Sequence, residues 1–140
     1  MKTWIFVESF KNWNEDFKHN FTSTGIDKKK FFLKKPKKGD LIFTYISKVK
    51  KISDMREIID DFLIDTPKTF NYDKTLLNSI STKKLTVLEE NSWIEFNGIV
   101  KELEVFATSK SPGLKLLNAP IELNDYDREV LRKIFNNMVK

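Results

Sequence analysis

Leu41-Ile42-Phe43-Thr44-Tyr45-Ile46 is the segment that most narrows what this chain can fold into. Its apolar residues run on without the alternation of a half-exposed strand, which marks a strand buried on both faces. Lys38-Gly39-Asp40 just before it is a turn signal. Other segments supply partners for such a strand. Trp4-Ile5-Phe6-Val7 is a short β-branched and aromatic run, and Ile80 to Leu88 alternates around Leu85 and Val87. Trp93-Ile94-Glu95-Phe96 is a brief extended piece.

Helical spacing appears near both ends. Phe10, Trp13, Phe17 and Phe21 predict a first helix over 10–21, with Asn12 as its cap and Glu15 as the capping-box partner. Thr22-Ser23-Thr24-Gly25 then reads as a loop. Tyr126, Val130, Leu131, Ile134 and Phe135 define an amphipathic C-terminal helix, with Asn124 as N-cap and Asp127 three residues on. Ser111-Pro112-Gly113 reads as a loop, and Val100, Leu103 and Phe106 suit a helical turn or a short strand. Ile52, Met55, Ile58, Ile59 and Phe62 also fall at helical spacing, with Asp54 and Glu57 as a capping box. Thr66-Pro67 opens a polar stretch that reaches about Ser79 and contains Phe70 and Tyr72. There is no internal repeat and no linker, so the expectation is one α+β domain spanning 1–140.

Composition bounds the function classes. The 140 residues fit one domain, and 12 Phe with 40% apolar residues can build a core without covalent staples. The absence of cysteine excludes disulfides, thiolate metal sites and cysteine nucleophiles. The opening Met1 to Glu8 has too short an apolar run for a signal peptide or a membrane span, so a cytoplasmic location is expected. Residues 1–51 hold 13 of the 25 basic residues but 5 of the 20 acids, so this part is net +8 and the remainder net −3. A basic face of this kind suits a polyanion. Its densest part is Lys28, Lys29, Lys30, Lys34, Lys35, Lys37 and Lys38, expected to contact phosphates.

Catalytic signatures are missing. His19 is the single histidine, which rules out any site needing two imidazoles. Glycines 25, 39, 98 and 113 are scattered, so there is neither a P-loop nor a dinucleotide fingerprint. Asp60-Asp61 and Glu89-Glu90 are adjacent pairs that point to opposite faces when extended, unlike a two-carboxylate hydrolytic site. A protein that is not an enzyme and needs no cofactor or metal is expected.

Lys38-Gly39-Asp40-Leu41-Ile42-Phe43-Thr44-Tyr45 resembles the "K-x-GD-hydrophobic-hydrophobic-x-Y" element of EVE domains, a PUA-like family related to YTH domains. The other elements of that family follow in order. Trp4-Ile5 resembles its opening strand, Asn12-Trp13 the start of its first helix and His19-Asn20 the end of it. Lys51-Ile52 through Glu57-Ile58 to Asp65 resembles its next strand, and Pro120 to Asn124 with the final helix its closing element. The resemblance covers nearly the whole chain. It implies a small mixed β-barrel of five to six strands with flanking helices. It also makes 52–64 a strand, with Ile52 and Ile58 packed in the barrel, and the ordered match outweighs the helical spacing.

EVE and YTH domains are thought to accept one modified base, commonly methylated, in an aromatic-lined pocket. Carried onto this sequence, the base pocket is formed by Ser9, Asn12, Phe21, Thr22, Ser23, Tyr45, Asp65, Phe70 and Tyr72, with the lysines at its mouth. Where many members carry a cage Trp after the "HN" pair, this chain has Thr22, with Phe21 as the available aromatic. The resemblance implies a monomeric reader of modified DNA or RNA, away from membranes, serving as the specificity domain of a modification-dependent restriction system. The alternative is a small-molecule sensor that binds a free nucleobase or nucleotide.

Overall fold

The computed structural model describes residues 1–25, 30–31, 34–67, 69–72 and 78–138, apart from the Phe62 side chain. Seven strands form one sheet: β1 Thr3–Glu8, β2 Phe21–Thr24, β3 Leu41–Ile46, β4 Lys51–Asp65, β5 Asn78–Val87, β6 Ile94–Glu95 and β7 Ile121–Leu123. Their order is β2-β5-β4-β3-β1-β7, with β6 on β4. β1 and β3 run parallel, from Thr3 opposite Leu41 to Glu8 opposite Ile46, and every other pair is antiparallel. This mixed α+β sheet curls into a partial barrel. β1 and β2 come into contact without sharing a ladder, so a seam runs between them.

β3 lies between β1 and β4, and all six of its residues are buried. Strand alternation divides the core in two. Trp4 and Phe6 pack with Phe31, Ile42, Ile58 and Ile80 on one face. Ile5, Phe43 and Tyr45 join a larger cluster on the other. Helices cover that second face: α1 Phe10–His19, α2 Phe96–Ile99, α3 Glu104–Ala107, α4 Pro112–Leu116 and α5 Asp125–Met138. Phe135 of α5 lies 5.4 Å from Phe43, and Phe96 meets Tyr45 edge-on at 5.1 Å. No helix among the described residues is long and apolar enough to cross a membrane.

Residues 52–64 are strand, and a β-bulge explains their helical appearance. Thr44 faces Asp54 while Tyr45 faces Ile52, which leaves Ser53 as the extra residue. The insertion reverses the alternation, so Ile52 and Met55, three apart, share the helix-covered core. Asp54, Arg56 and Ile58 thereby face the other way, and Ile58 belongs to the barrel interior. A spacing of three that looks helical is thus produced by a strand with one inserted residue.

Four local expectations are corrected. The 22–25 segment is not a loop, because Phe21–Thr24 is β2 and pairs with β5. The first helix is capped by Ser9 and not by Asn12: Ser9 is extended and its Oγ accepts the Asn12 N–H at 3.2 Å. Pro112 opens the short helix α4, a position that suits it because its missing N–H has no partner there anyway. Tyr126 is exposed, since Asp127 takes the inward place on α5 and accepts the Glu104 and Val105 N–H groups of α3 at 2.6 and 3.1 Å. Asn124 does cap α5, accepting the Asp127 N–H at 2.8 Å.

The Lys-Gly-Asp turn is a structural clamp. Gly39 sits at φ +92°, a conformation that an L side chain rarely adopts. Buried Asp40 accepts the Lys2 N–H at 2.9 Å, Trp4 Nε1–H at 2.9 Å and the Lys37 N–H at 2.8 Å, which joins the start of β1 to the turn. Asp40→Ala would leave these donors without their charged acceptor. It should cost about 2–4 kcal/mol in urea unfolding; an unchanged midpoint would show the clamp to be idle.

Candidate nucleic-acid interface

The seam between β1 and β2 is closed by side chains. Asn20 takes the left-handed conformation at the end of α1, φ 58°, and turns the chain directly into β2. Glu8, at the end of β1, then accepts the Ser23 N–H at 3.3 Å. Asp16 of α1 accepts Ser23 Oγ–H at 2.9 Å and the Tyr72 hydroxyl. Ser23 Oγ is 2.6 Å from Ser79 Oγ, which lies 3.3 Å from Thr66 Oγ1.

Beside this chain of polar groups sits Asp54, delivered by the bulge. Its carboxylate accepts Trp13 Nε1–H at 2.7 Å, Thr44 Oγ1–H at 2.7 Å and Ser53 Oγ–H at 3.3 Å. Arg56 adds Nε and Nη2, each at 3.1 Å, and gives Nη1 to the Phe21 carbonyl at 2.5 Å. Both charged side chains are fully buried. Burial opposes the Arg56 charge, but Asp54, Glu8 and Asp16 together outweigh it and hold the guanidinium above its ordinary value.

The acids behave differently from one another. Burial first, and then the Asp16 carboxylate beside it, pushes the Glu8 carboxyl well above the usual glutamate range. Burial and the bond to Asp16 likewise push the Tyr72 phenol up, so it stays a donor.

An aromatic group lies over these acids. His19 stacks on Phe70 with centroids 3.8 Å apart and planes 13° from parallel. Phe70 is 5.8 Å from Phe21 and 5.7 Å from Tyr72. Phe21, Phe70 and Tyr72 are half-buried, while His19 is exposed. Behind them Trp13 packs on Phe17 and Trp93, each at 5.0 Å, and Lys84 Nζ lies 3.6 Å from the Phe17 ring centroid.

The structure thus brings Phe21, Ser23, Phe70 and Tyr72 together. Ser9 and Asn12 stand at the start of α1, and Thr22 is buried on β2 with its hydroxyl unpartnered. Asp65 is exposed at the end of β4, opposite Asn78. Tyr45 is apart from the group, because strand alternation turns it into the helix-covered core against Phe96.

The lysines lie elsewhere. Lys28 and Lys29 fall outside the described residues. Lys30 is exposed. Lys34 Nζ donates to the Asn118 carbonyl, and to that of Pro120 at 2.8 Å. Lys35 and Lys37 line a cleft of about 570 Å³ with Phe31, Pro36 and Asp61. Lys37 and Lys38 lead into β3 beside Thr3, whereas Glu8 closes the far end of β1, roughly 17 Å away along the strand.

Sequence reasoning missed Glu8, Asp16, Asp54, Arg56, His19 and Ser79. One signal was available: Glu8 continues the inward alternation of Trp4 and Phe6, where a solvated acid does not belong.

No protein-family model matches the chain, and no curated protein matches its sequence. Solved structures do match. The YTH domain of Pho92, in complex with m6A, superposes with a TM-score of 0.66 at 14% identity, over 96% of this chain and 82% of that one. The YTH domain of the Zygosaccharomyces rouxii MRB1 protein, with N6-methyladenosine RNA, gives 0.64 at 9% identity over 96% and 86%. Rpa0253 from Rhodopseudomonas palustris gives 0.64 at 16% identity over 100% and 97%. The chain has the fold of YTH domains; at these identities the likeness concerns fold alone.

A glutamate with a raised folded pKa stabilises the fold below its unfolded value, ordinarily 4.5, and loses that contribution as pH rises through the raised value. Stability should therefore fall with rising pH above the usual carboxylate range. Glu8→Gln should flatten that part of the profile in thermal melts recorded across pH. An unchanged slope would assign the dependence to another group.

Proposed function

We propose that this domain binds a nucleic-acid strand and accepts one modified base where Phe21, Phe70 and Tyr72 meet over the polar seam. The observation that carries this reading is the convergence of the three aromatic side chains, with His19, at the mouth of a buried hydrogen-bonding network. A base leaving its stack forfeits a few kcal/mol, and stacking on aromatic side chains returns about 1–3 kcal/mol. Ser9, Asn12, Thr22 and Ser23 supply polar groups to read the base edge, with Asp65 at the rim. YTH domains solved with m6A and with N6-methyladenosine RNA support a methylated base as the ligand class.

Within this fold we place the chain with the EVE domains, on the order of its Trp4-Ile5, Asn12-Trp13, His19-Asn20 and Lys38-Gly39-Asp40 elements. Binding without catalysis is the activity proposed. As the specificity domain of a modification-dependent restriction system, such a module would need only this pocket, its nuclease residing in another chain or domain. Phosphate contacts beside the aromatic mouth are assigned to Lys18, which precedes His19 in the last turn of α1. Lys35, Lys37 and Lys38 would engage the strand only where it continues around the barrel.

Phe70→Ala and Phe21→Ala should each weaken binding of a methylated oligonucleotide by about tenfold or more in fluorescence anisotropy at low salt. Circular dichroism should remain that of the parent protein. Undiminished affinity in both variants would remove the pocket from this position.

A further inference from the structure

The seam holds more negative than positive charge. Glu8, Asp16 and Asp54 are buried there, and Arg56 is their buried guanidinium. Arg56 gives its hydrogen bonds to Asp54 and to the Phe21 carbonyl. Glu8 and Asp16 lie beside each other, and burial and the Asp16 carboxylate push the Glu8 carboxyl up. Glu8 Oε2, Asp16 Oδ2 and Thr22 Oγ1 are all buried and receive no donor among the described residues.

What covers Asp16 is Tyr72, whose hydroxyl donates to the carboxylate while its ring packs against Phe70, centroids 5.7 Å apart and planes tilted by 57°. A flipped base in the place of Tyr72 would pack against the same aromatic neighbour and set an edge donor on Asp16. We propose, building on the one-base reading above, that the site selects a base bearing a positive charge, as ring N-methylation produces, and that Tyr72 holds its place in the free protein. A cationic ring gains twice here, from cation–π attraction to the aromatic walls and from a charged hydrogen-bond acceptor beneath it. A neutral base can still donate an N–H to Asp16 but gains no cation–π attraction, and any ring nitrogen lone pair that it turns towards Asp16 is repelled. Tyr72 sits beyond the end of β4, on the segment that joins it to β5, so its displacement leaves the sheet ladder intact.

The test is fluorescence anisotropy with three oligonucleotides of one sequence, carrying adenine, N6-methyladenine or its isomer 1-methyladenine, which is cationic at neutral pH. The 1-methyladenine strand should bind about tenfold tighter than its neutral isomer, the factor that about 1.4 kcal/mol supplies. Asp16→Asn should reduce the ratio to about twofold or less, and Tyr72→Phe, which frees the carboxylate, should tighten the cationic strand. If the neutral isomer binds as well or better, this inference falls while the one-base pocket stands. If neither methylated strand exceeds plain adenine, both fall. Should Asp16→Asn melt below the assay temperature, Tyr72→Phe decides: weaker binding of the cationic strand overturns the place-holder role.

Discussion

Asp54 is fully buried, and its two oxygens accept five hydrogen bonds from four residues. Those donors come from α1 through Trp13, from β3 through Thr44 and from β4 itself through Ser53 and Arg56. Arg56 extends the set to β2 through the Phe21 carbonyl. A buried carboxylate is tolerable only with such saturation. Removing either member of the Asp54–Arg56 pair leaves an uncompensated charge, a loss of about 3–5 kcal/mol. The β-bulge at Ser53 makes this possible, since without the extra residue Asp54 would face the helix-covered core.

Everything at the seam inherits its position from that pair. Trp13 and Arg56 fix α1 and Phe21 relative to the barrel, so Asp16 and Glu8 meet beside Ser23. Closing a barrel with side chains where a ladder would otherwise run leaves polar groups available at its edge. The aromatic side chains His19, Phe21, Phe70 and Tyr72 lie on this opening, and Tyr72 is the point where they touch the acids. The proposed binding surface is thus a consequence of how the sheet fails to close.

The parts of the fold that sequence made legible are those where burial follows a clean period. Leu41–Ile46 is apolar throughout because both faces are covered, and α5 follows Leu131 and Phe135 as an inward stripe. β4 misled the periodicity because one inserted residue puts Ile52 and Met55 on the same face at a spacing of three. β2 was hidden because Thr22, Ser23 and Thr24 are buried, where sequence rules expect Ser and Thr to be exposed. The same limit applied to the site. Phe70 and Tyr72 stood out as aromatics in a polar stretch and Phe21 came only through the family resemblance, whereas Asp16, Asp54 and Arg56 looked like ordinary charge. The lysine run looked like the mouth of the pocket, yet the parallel β1–β3 register carries Lys37 and Lys38 to the opposite end of the strand.

The Lys37–Lys38 share of the net charge of +5 therefore acts at a distance from the seam. It favours association with a polyanion in general, while in the proposed reading the choice of base falls to a few buried groups. The location of that choice is the central claim, and amide chemical-shift mapping during titration with a methylated oligonucleotide tests it most directly. The account predicts that the largest shifts fall on residues 8–24, 54–56, 66–72 and 78–80. Largest shifts confined to residues 34–38 and Asp61, with the seam unmoved, would contradict it.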